Sequence, residues 1–317
     1  MAYAPEMGTA RRESGKAVGP AVDLSIVVVS YNVRELLRAC LESVFAQQLG
    51  HTFDLWVVDN ASADGSAELV RASFPHVQLI ANADNRGFAA GNNQAIHAST
   101  GRHLLFLNPD TEILSGSLDR MIDYLDKHAD TGILGCRLVY PDGSLQHSCF
   151  HFPGLAQTFL DLFPLHPRLL NTRLNGRYPR AAYQHEMDID HCLGACFMLR
   201  RATRLEFDEA YFMYVEEIDL CWRLKDAGWK IHYLPDLTVL HHAGGSARQT
   251  PTRSRQMLWH SRRVFTRKHR GPLFRVAWGL LVCGGRLRSP RPEAADIRAE
   301  SSDPRPQTSG PSSDASR

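Results

Sequence analysis

The feature that most constrains the fold of this chain is a repeated alternation of short apolar runs with segments of helical periodicity. The first run, Leu24–Ser30, is continuous and rich in β-branched residues, and apolar residues then recur at helical spacing over 36–44. Three more units of this kind follow, at 53–73, 77–99 and 103–127. Strands that are buried on both faces and joined by helices form parallel sheets with right-handed crossovers. The first half is therefore predicted to be a Rossmann-like α/β sheet flanked by helices.

Polar residues follow each of these predicted strands. They are Ser30, Tyr31 and Asn32 after the first, Asp59 and Asn60 after the second, Asn85, Arg86 and Gly87 after the third, and Asn108 and Asp110 after the fourth. Ligands bind at the carboxyl ends of the strands in such sheets, so these loops should line one crevice. Any single loop has a structural explanation, such as a turn. Four polar loops at one edge indicate a ligand site, because crowded polar groups cost free energy unless a ligand uses them.

The second half is less regular. We predict a hairpin around the turn 141–143, strands over 192–200, 230–234 and 238–241, a helix over 216–227, and an irregular stretch over 150–185. The two ends, 1–22 and 287–317, lack hydrophobic periodicity and are expected to be disordered.

The cysteine content and the hydropathy of the sequence indicate the cellular compartment of the protein. Its seven cysteines are scattered and odd in number, which is untypical of a disulfide framework, and the spacing of Cys192 and Cys196 beside His191 is too loose for a zinc site. No run approaches the roughly 20 apolar residues of a membrane-spanning helix, and the N-terminus lacks the apolar core of a signal peptide. We therefore expect a cytoplasmic protein.

A basic segment near the C-terminus accounts for the chain's excess of positive charge. Residues 237–292 contain twelve Lys or Arg and no Asp or Glu, in a chain of net charge +2. Such a segment attracts nucleic-acid phosphates or anionic lipid headgroups. Without a recognition fold or an aromatic-basic platform, a nucleic-acid partner is not expected. Over 248–286 we predict a basic amphipathic helical segment that either lies on an anionic membrane or closes the domain with a solvated basic face.

Seven motifs together resemble the family-2 glycosyltransferases of the GT-A fold. They occur in that family's order, at 29–32, 57–62, 85–92, 107–111, 194–196, 211–223 and 241–246. Within the family the chain looks most like the rhamnosyltransferase-type branch of cell-wall and O-antigen synthesis. The resemblance implies one GT-A domain over 23–247, with a nucleotide-sugar half at 23–130 and an acceptor half at 131–247.

The resemblance also implies how a donor would be bound. The donor-binding residues would be Ser30, Tyr31, Asn32, Asp59, Asn60, Arg86, Gly87 and Asn108. Asp59 would accept a hydrogen bond from the nucleotide base, with Ser30 and Tyr31 beside the base and ribose. Arg86 would neutralise phosphate or hold the nucleoside, and Gly87 would permit close approach of the backbone.

A metal site is implied at the fourth strand. Asp110 occupies the last position of what is an Asp-x-Asp metal motif in many relatives, although Asn108 stands where the first carboxylate often does. Mg²⁺ or Mn²⁺ would bridge to the diphosphate oxygens there. One histidine would complete the site, and we prefer His241 to His242, since alternation along a strand lets only one of them face the crevice.

The acidic cluster Glu216, Glu217 and Asp219 opens a predicted helix. Carboxylates at a helix N-terminus are stabilised by the helix dipole, which is a sufficient structural reason for them. The resemblance implies that one carboxylate is the general base that activates the acceptor hydroxyl. We assign that role to Glu217, with Glu216 in support and Asp219 holding the local structure.

These implications combine into one expected activity. The chain would be an inverting glycosyltransferase that moves a sugar, with dTDP-rhamnose a candidate donor, onto a lipid-linked saccharide at the inner face of the cytoplasmic membrane. Two alternatives stay open. One is a catalytically silent scaffold that binds nucleotide sugars. The other is a nucleotidyltransferase, which is weakened because no Gly-rich phosphate loop with a lysine lies near the first strand.

Overall fold

The computed structural model describes residues 22–163, 169, 172–243 and 251–288. Nearly all of the two extensions that we expect to be disordered, at 1–22 and 287–317, lie outside the described residues. Part of the last motif, 244–246, also lies outside them.

The first half forms the predicted parallel sheet. Its elements are β1 Leu24–Ser30, α1 Arg34–Phe45, β2 Phe53–Asp59, α2 Ser66–Ser73, β3 Gln78–Ala81, α3 Gly87–Ala98 and β4 His103–Leu107. These strands lie in the order β3-β2-β1-β4, and every neighbouring pair is parallel. The loops after the strands therefore meet at one edge of the sheet.

The second half extends this sheet with strands of both directions. Its elements are β5 Thr111–Ser115, α4 Leu118–Lys127, β6 Thr131–Val139, β7 Leu145–Gln146, β8 Cys149–Phe150, α5 Leu155–Leu162, β9 Met187–Asp188, β10 His191–Cys192, β11 Cys196–Arg200, α6 Glu216–Asp226, β12 Lys230–His241, α7 Pro251–His269 and α8 Pro272–Arg288. The main order continues as β4-β11-β6-β12-β5. β11 runs antiparallel to both of its neighbours, and β5 runs antiparallel to β12.

Four sequence predictions in this half differ from the structure. The strand expected over 192–200 is divided, because β10 pairs with β8 in a small second sheet while β11 joins the main sheet. The strands expected over 230–234 and 238–241 form one strand, β12, with an irregular register between Leu234 and Thr238. β5, directly after Asp110, was not predicted, and α5 lies in the stretch expected to be irregular.

The core covers both faces of the sheet. In β1, Leu24, Ile26 and Val28 pack into one cluster with residues of α1 and α4, whereas Val27 and Val29 pack into the other with residues of α3 and α6. Side chains alternate along a strand, so a continuous apolar run supplies both faces. The sheet is thus held rigidly between two layers of helices, and its loop edge is a fixed platform.

The basic segment contains two helices that pack onto the domain. Phe265 of α7 is buried against Tyr211 and Val215, and Ser261 Oγ donates to the Met213 carbonyl at 2.9 Å. α8 lies against α5, where a Cβ at Gly285 would come within 2.8 Å of Leu162 Cδ2. Both helices of the basic segment therefore pack against the domain, which is the second of the two interpretations of this segment. No helix in the described part of the chain is long and apolar enough to cross a membrane.

Candidate active site

A cavity lies at the loop edge of the sheet, where the ends of β1 and β4 face the start of α6. It is lined by residues 29–31, 33, 60, 85, 87, 88, 108–110, 193–195, 213, 214, 216, 217 and 241. Six predicted donor or metal residues are among them: Ser30, Tyr31, Asn60, Gly87, Asn108 and Asp110. His241 and both glutamates of the acidic cluster also line it. The structure therefore brings together residues from opposite ends of the domain.

Two buried oxygens near the end of β1 and β2 have no hydrogen-bond partner among the described residues. They are Ser30 Oγ and Asp59 Oδ1. The other carboxylate oxygen of Asp59 accepts from the Ser62 amide at 3.0 Å, which fixes the orientation of the side chain. Because buried polar atoms are nearly always paired, these two mark a place where a ligand can supply the partner.

Three predicted donor residues lie outside the cavity lining. Asn32 holds the loops after β1 and β2 together, since its amide donates to Ser62 Oγ and its side-chain oxygen accepts from the Ala63 amide at 2.7 Å. Arg86 is about half exposed and lies 3.7 Å from Asp84. Asp59 lies behind the lining, at the end of β2.

Gly87 lines the cavity and also permits a close approach of the loop that precedes α6. Its φ is +84°, and a Cβ there would lie 2.4 Å from the Phe212 carbonyl oxygen. The same carbonyl accepts from the Phe88 amide at 2.8 Å. The start of α3 is thereby joined to the loop that leads into α6.

Asp110 and His241 face each other inside the cavity. Both are buried, and His241 Nε2 lies 3.4 Å from Asp110 Oδ1. On its other side, His241 Nδ1 lies 3.0 Å from Gln146 Oε1. An amide oxygen only accepts, so Nδ1 can donate to Gln146, which leaves Nε2 facing Asp110. Gln146 belongs to no motif, and nothing in the sequence identifies it.

The neighbouring histidine points elsewhere. His242 Nε2 lies 2.8 Å from Glu112 Oε1, and the His242 amide donates to the Asp110 carbonyl at 2.9 Å. The structure thus places His241 in the cavity and His242 outside its lining.

Glu216 and Glu217 begin α6 after two residues in an unusual backbone conformation. Tyr214 and Val215 have φ values of 68° and 74°. Left-handed conformations at non-glycine residues cost on the order of 1–3 kcal/mol each and persist only where the surroundings impose them. This turn directs both carboxyl groups into the cavity.

Burial changes the proton affinity of both glutamates. It raises the pKa of Glu217 to about 7, although backbone amides, including that of Gly194, counteract part of the shift. Burial, followed by the nearby Glu217 carboxylate, raises the pKa of Glu216 well above its usual range, and Glu216 Oε2 has no hydrogen-bond partner among the residues that the structure describes. A pKa of about 7 lets Glu217 exchange a proton near neutral pH.

Asp219 has a structural environment, in agreement with its expected role. This fully buried carboxylate accepts from Tyr211 Oη at 3.0 Å and from Arg223 Nε at 2.6 Å, and His269 Nε2 lies 2.7 Å away. It ties α6 to the end of α7.

A second cavity adjoins the first. It lies between α5, α6, α7 and α8, and Leu193, Tyr214 and Glu217 line both cavities. Glu217 therefore stands at the junction of the two. The side chains that α7 and α8 contribute lie beyond the recognisable motifs, so sequence reasoning did not identify this cavity.

Comparisons with known proteins agree with this architecture. Residues 25–203 match the family described as Glycosyl transferase family 2. An N-acetylglucosaminyl-diphospho-decaprenol L-rhamnosyltransferase of Mycobacterium tuberculosis is 29% identical over 245 residues, which are 72% of this chain and 78% of that protein. Rhamnosyltransferase WbbL of Escherichia coli is 29% identical over 190 residues, which are 56% of this chain and 69% of that protein.

A solved structure shares the fold. The mannosyltransferase PcManGT of Pyrobaculum calidifontis, in complex with GDP-Man and Mn²⁺, has a TM-score of 0.53 at 15% identity, with coverage of 90% of this chain and 83% of that one. The predicted GT-A architecture is thus confirmed, and the family match extends over more than half of the sequence. The chain belongs to glycosyl transferase family 2 and is a glycosyltransferase.

Proposed function

We propose that this glycosyltransferase transfers a sugar, with inversion, from a nucleoside-diphosphate donor in the first cavity to an acceptor hydroxyl that reaches Glu217 from the second. The observation that carries the proposal is the position of Glu217, a carboxylate with a pKa of about 7 in the shared wall of two cavities. A general base works best when its pKa lies near the operating pH.

The reaction is a single displacement. Glu217 takes the proton of the acceptor hydroxyl, whose oxygen bonds to the anomeric carbon as the bond to the nucleoside diphosphate breaks. No covalent intermediate on the enzyme is needed. The Ser30 hydroxyl and the Asp59 carboxylate, each with an unpaired buried oxygen, fit the polar edges of the base and ribose.

Asp110 and His241 fit a divalent cation, Mg²⁺ or Mn²⁺. A carboxylate oxygen and an imidazole nitrogen lie 3.4 Å apart there, and Gln146 contacts the other ring nitrogen and so orients the imidazole, as partners of metal-binding histidines commonly do. In the described part of the chain, no group of three or more His, Cys, Asp or Glu side chains could hold an ion. Donor phosphate oxygens would therefore complete the coordination, and the ion would stabilise the charge of the leaving diphosphate.

The proposed acceptor is a lipid-linked saccharide. The proposed donor sugar is rhamnose, and dTDP-rhamnose is the first donor to test. The Mycobacterium tuberculosis relative is named for rhamnosyl transfer to N-acetylglucosaminyl-diphospho-decaprenol, and the Escherichia coli relative is also named a rhamnosyltransferase. Both relatives are 29% identical to this chain over the matched residues, so a rhamnosyl donor and a lipid-linked N-acetylglucosamine acceptor are the first compounds to test.

We also propose peripheral attachment to an anionic membrane, at its cytoplasmic face. Leu273, Val276 and Leu280 follow one another on one face of α8 and are 88%, 63% and 70% exposed. Exposed arginines lie nearby in sequence, including Arg275 on α8 and Arg263 and Arg267 on α7. An apolar stripe beside basic residues suits the interface of an anionic bilayer, to which each basic residue contributes about 1 kcal/mol.

The donor is tested by the release of nucleoside diphosphate from a panel of UDP-, GDP- and dTDP-sugars with Mg²⁺ or Mn²⁺ and a polyprenyl-diphosphate N-acetylglucosamine acceptor. We expect turnover of one donor, and a loss of at least about 100-fold in Asp110→Ala. Asp142→Ala, which removes an exposed carboxylate outside both cavity linings, is the matched control and should retain activity. If no donor is turned over while nucleoside diphosphates still bind, the chain is a silent nucleotide-sugar-binding protein.

A further inference from the structure

The second cavity contains an arginine, Arg270, that makes no ion pair with any residue in the described part of the chain. Arg270 lies over the rings of Trp222 and Phe274, with its guanidinium carbon 4.6 and 5.0 Å from their centroids. One of its terminal nitrogens donates to the Pro153 carbonyl at 2.5 Å. Its Nε is buried without a hydrogen-bond partner in the part of the chain that the structure describes. A desolvated cation with an unused donor is costly unless an anion binds there.

The other acidic and basic side chains of this cavity are Arg262, Asp161, His191 and Glu217, the last of which is the proposed base. Arg262 pairs with Asp161 at 2.9 Å. His191 is stacked beside Phe150, and burial lowers its pKa to about 4, so the ring is neutral at pH 7. Among the described lining residues, Arg270 is therefore the cation available to a ligand.

The rest of the lining is largely apolar. The apolar lining residues include Leu258 and Phe265 of α7, Phe274 and Trp278 of α8, and Val215 and Ile218 at the start of α6. A site that combines one unpaired guanidinium with an apolar wall suits a molecule with an anionic group joined to a hydrocarbon chain. α8 contributes both to this wall and to the exposed apolar stripe at Leu273, Val276 and Leu280, so a chain in the cavity would lie close to that stripe.

We propose that Arg270 binds the phosphate of a polyprenyl-phosphate-linked acceptor in the second cavity and so positions the acceptor sugar at Glu217. The proposal rests on the proposed function for the role of Glu217, but the binding of the lipid phosphate does not. Guanidinium groups bind phosphate through paired, charge-assisted hydrogen bonds, and the stacked rings of Trp222 and Phe274 hold the Arg270 plane in place. Arg270 is a positioning residue, since the reacting atoms lie at Glu217.

The test is calorimetric titration of the full chain with three probes: farnesyl diphosphate, farnesol and inorganic pyrophosphate. We expect farnesyl diphosphate to bind the wild type at least tenfold more tightly than either fragment, because it offers both the anion and the chain. If farnesol binds equally well, the phosphate is not recognised and the proposal is overturned. If inorganic pyrophosphate binds equally well, the site recognises free phosphate and the lipid assignment is wrong.

Variants separate Arg270 from other basic residues. Arg270→Gln should weaken farnesyl diphosphate roughly 10- to 100-fold, and Arg270→Lys should restore part of the affinity. Arg263→Gln, an exposed position on α7 outside the cavity lining, is the matched control and should bind as the wild type does. Thermal melting of each variant checks folding. Equal affinity in folded Arg270→Gln and the wild type would contradict the proposal.

Kinetics distinguish this inference from the proposed function. With a polyprenyl-diphosphate acceptor, Arg270→Gln should raise KM and change kcat little, whereas an alkyl glycoside of the same sugar should show no change in KM. Tight binding of farnesyl diphosphate without sugar transfer would leave the site intact and refute the transferase mechanism. Sugar transfer with equal effects of Arg270→Gln on both acceptors would refute only the phosphate site.

Discussion

At the residue scale, the two adjacent glutamates of the acidic cluster differ in the cavities that they line and in their burial. Glu217 lines both cavities, whereas Glu216 lines only the first and is the more deeply buried of the two. Burial and the nearby Glu217 carboxylate disfavour ionisation of Glu216. This difference supports Glu217 as the base.

The pH dependence of turnover should follow Glu217. Burial raises its pKa to about 7, so the base is protonated and inactive below that pH and ionised above it. We expect kcat/KM to rise with pH through about 7 and then level off. Glu217→Asp keeps a carboxylate and should retain a rising limb at reduced rate. A flat profile from pH 5.5 to 8.5, with chemistry rate-limiting, would rule out this base.

The sequence could predict which side chains gather at the cavity where a motif places a residue at the end of a strand. Asp110, Asn108 and Ser30 line the cavity because the carboxyl ends of parallel strands meet at one edge. Gln146 and Arg270 could not be identified in this way. Their partners, His241 and the cavity wall, are distant in sequence, and only tertiary packing brings them together.

At the scale of elements, the contact between the start of α3 and the loop before α6 joins the two sides of the first cavity. Strand-helix periodicity predicted the first seven elements, most of which bury an apolar face. It did not predict β5, which is short and follows directly on the Asp110 loop, or the division of β10 from β11. Those features depend on which strand each segment pairs with, and local sequence does not determine that pairing.

Gly87→Ala tests the contact between α3 and the α6 loop. Its φ of +84° already disfavours alanine, and the added Cβ would clash with the Phe212 carbonyl at 2.4 Å. Gly143 is the matched control, with φ of +77° and no atom within 4 Å of an added Cβ. We expect Gly143→Ala to cost about 1–2 kcal/mol of unfolding free energy, from backbone strain alone. Gly87→Ala should cost more and reduce turnover, and equal costs in chemical denaturation would contradict this packing account.

At the scale of the whole molecule, the chain is a sheet with its loop edge forming the first cavity and its C-terminal helices forming the second. The sequence indicated a basic helical segment but left open whether it closes the domain or lies on a membrane. α7 closes the domain through Phe265 and the contact of His269 with Asp219. α8 buries Trp278 and Val282 on one face and exposes an apolar stripe on the other. One face can therefore pack against the domain while the other contacts a membrane.

Vesicle flotation tests the membrane-binding face of α8. The wild type should bind vesicles that contain phosphatidylglycerol, bind phosphatidylcholine vesicles more weakly, and dissociate as salt is raised. The double variant Leu273→Gln/Leu280→Gln should lose most of this binding. Leu174→Gln, which alters an exposed leucine outside α8, is the matched control and should not. Undiminished binding by the double variant would show that the stripe is not the membrane contact.

The central claim is that Glu217 is the base at the junction of a donor cavity and an acceptor cavity. The most direct measurement compares sugar transfer by Glu217→Gln with the wild type, while the affinity of each for nucleoside diphosphate is measured by titration. The account predicts a loss of transfer of roughly 10²- to 10⁴-fold with nucleotide affinity nearly unchanged. Transfer within a few-fold of the wild-type rate would show that another group removes the proton, and would contradict the account.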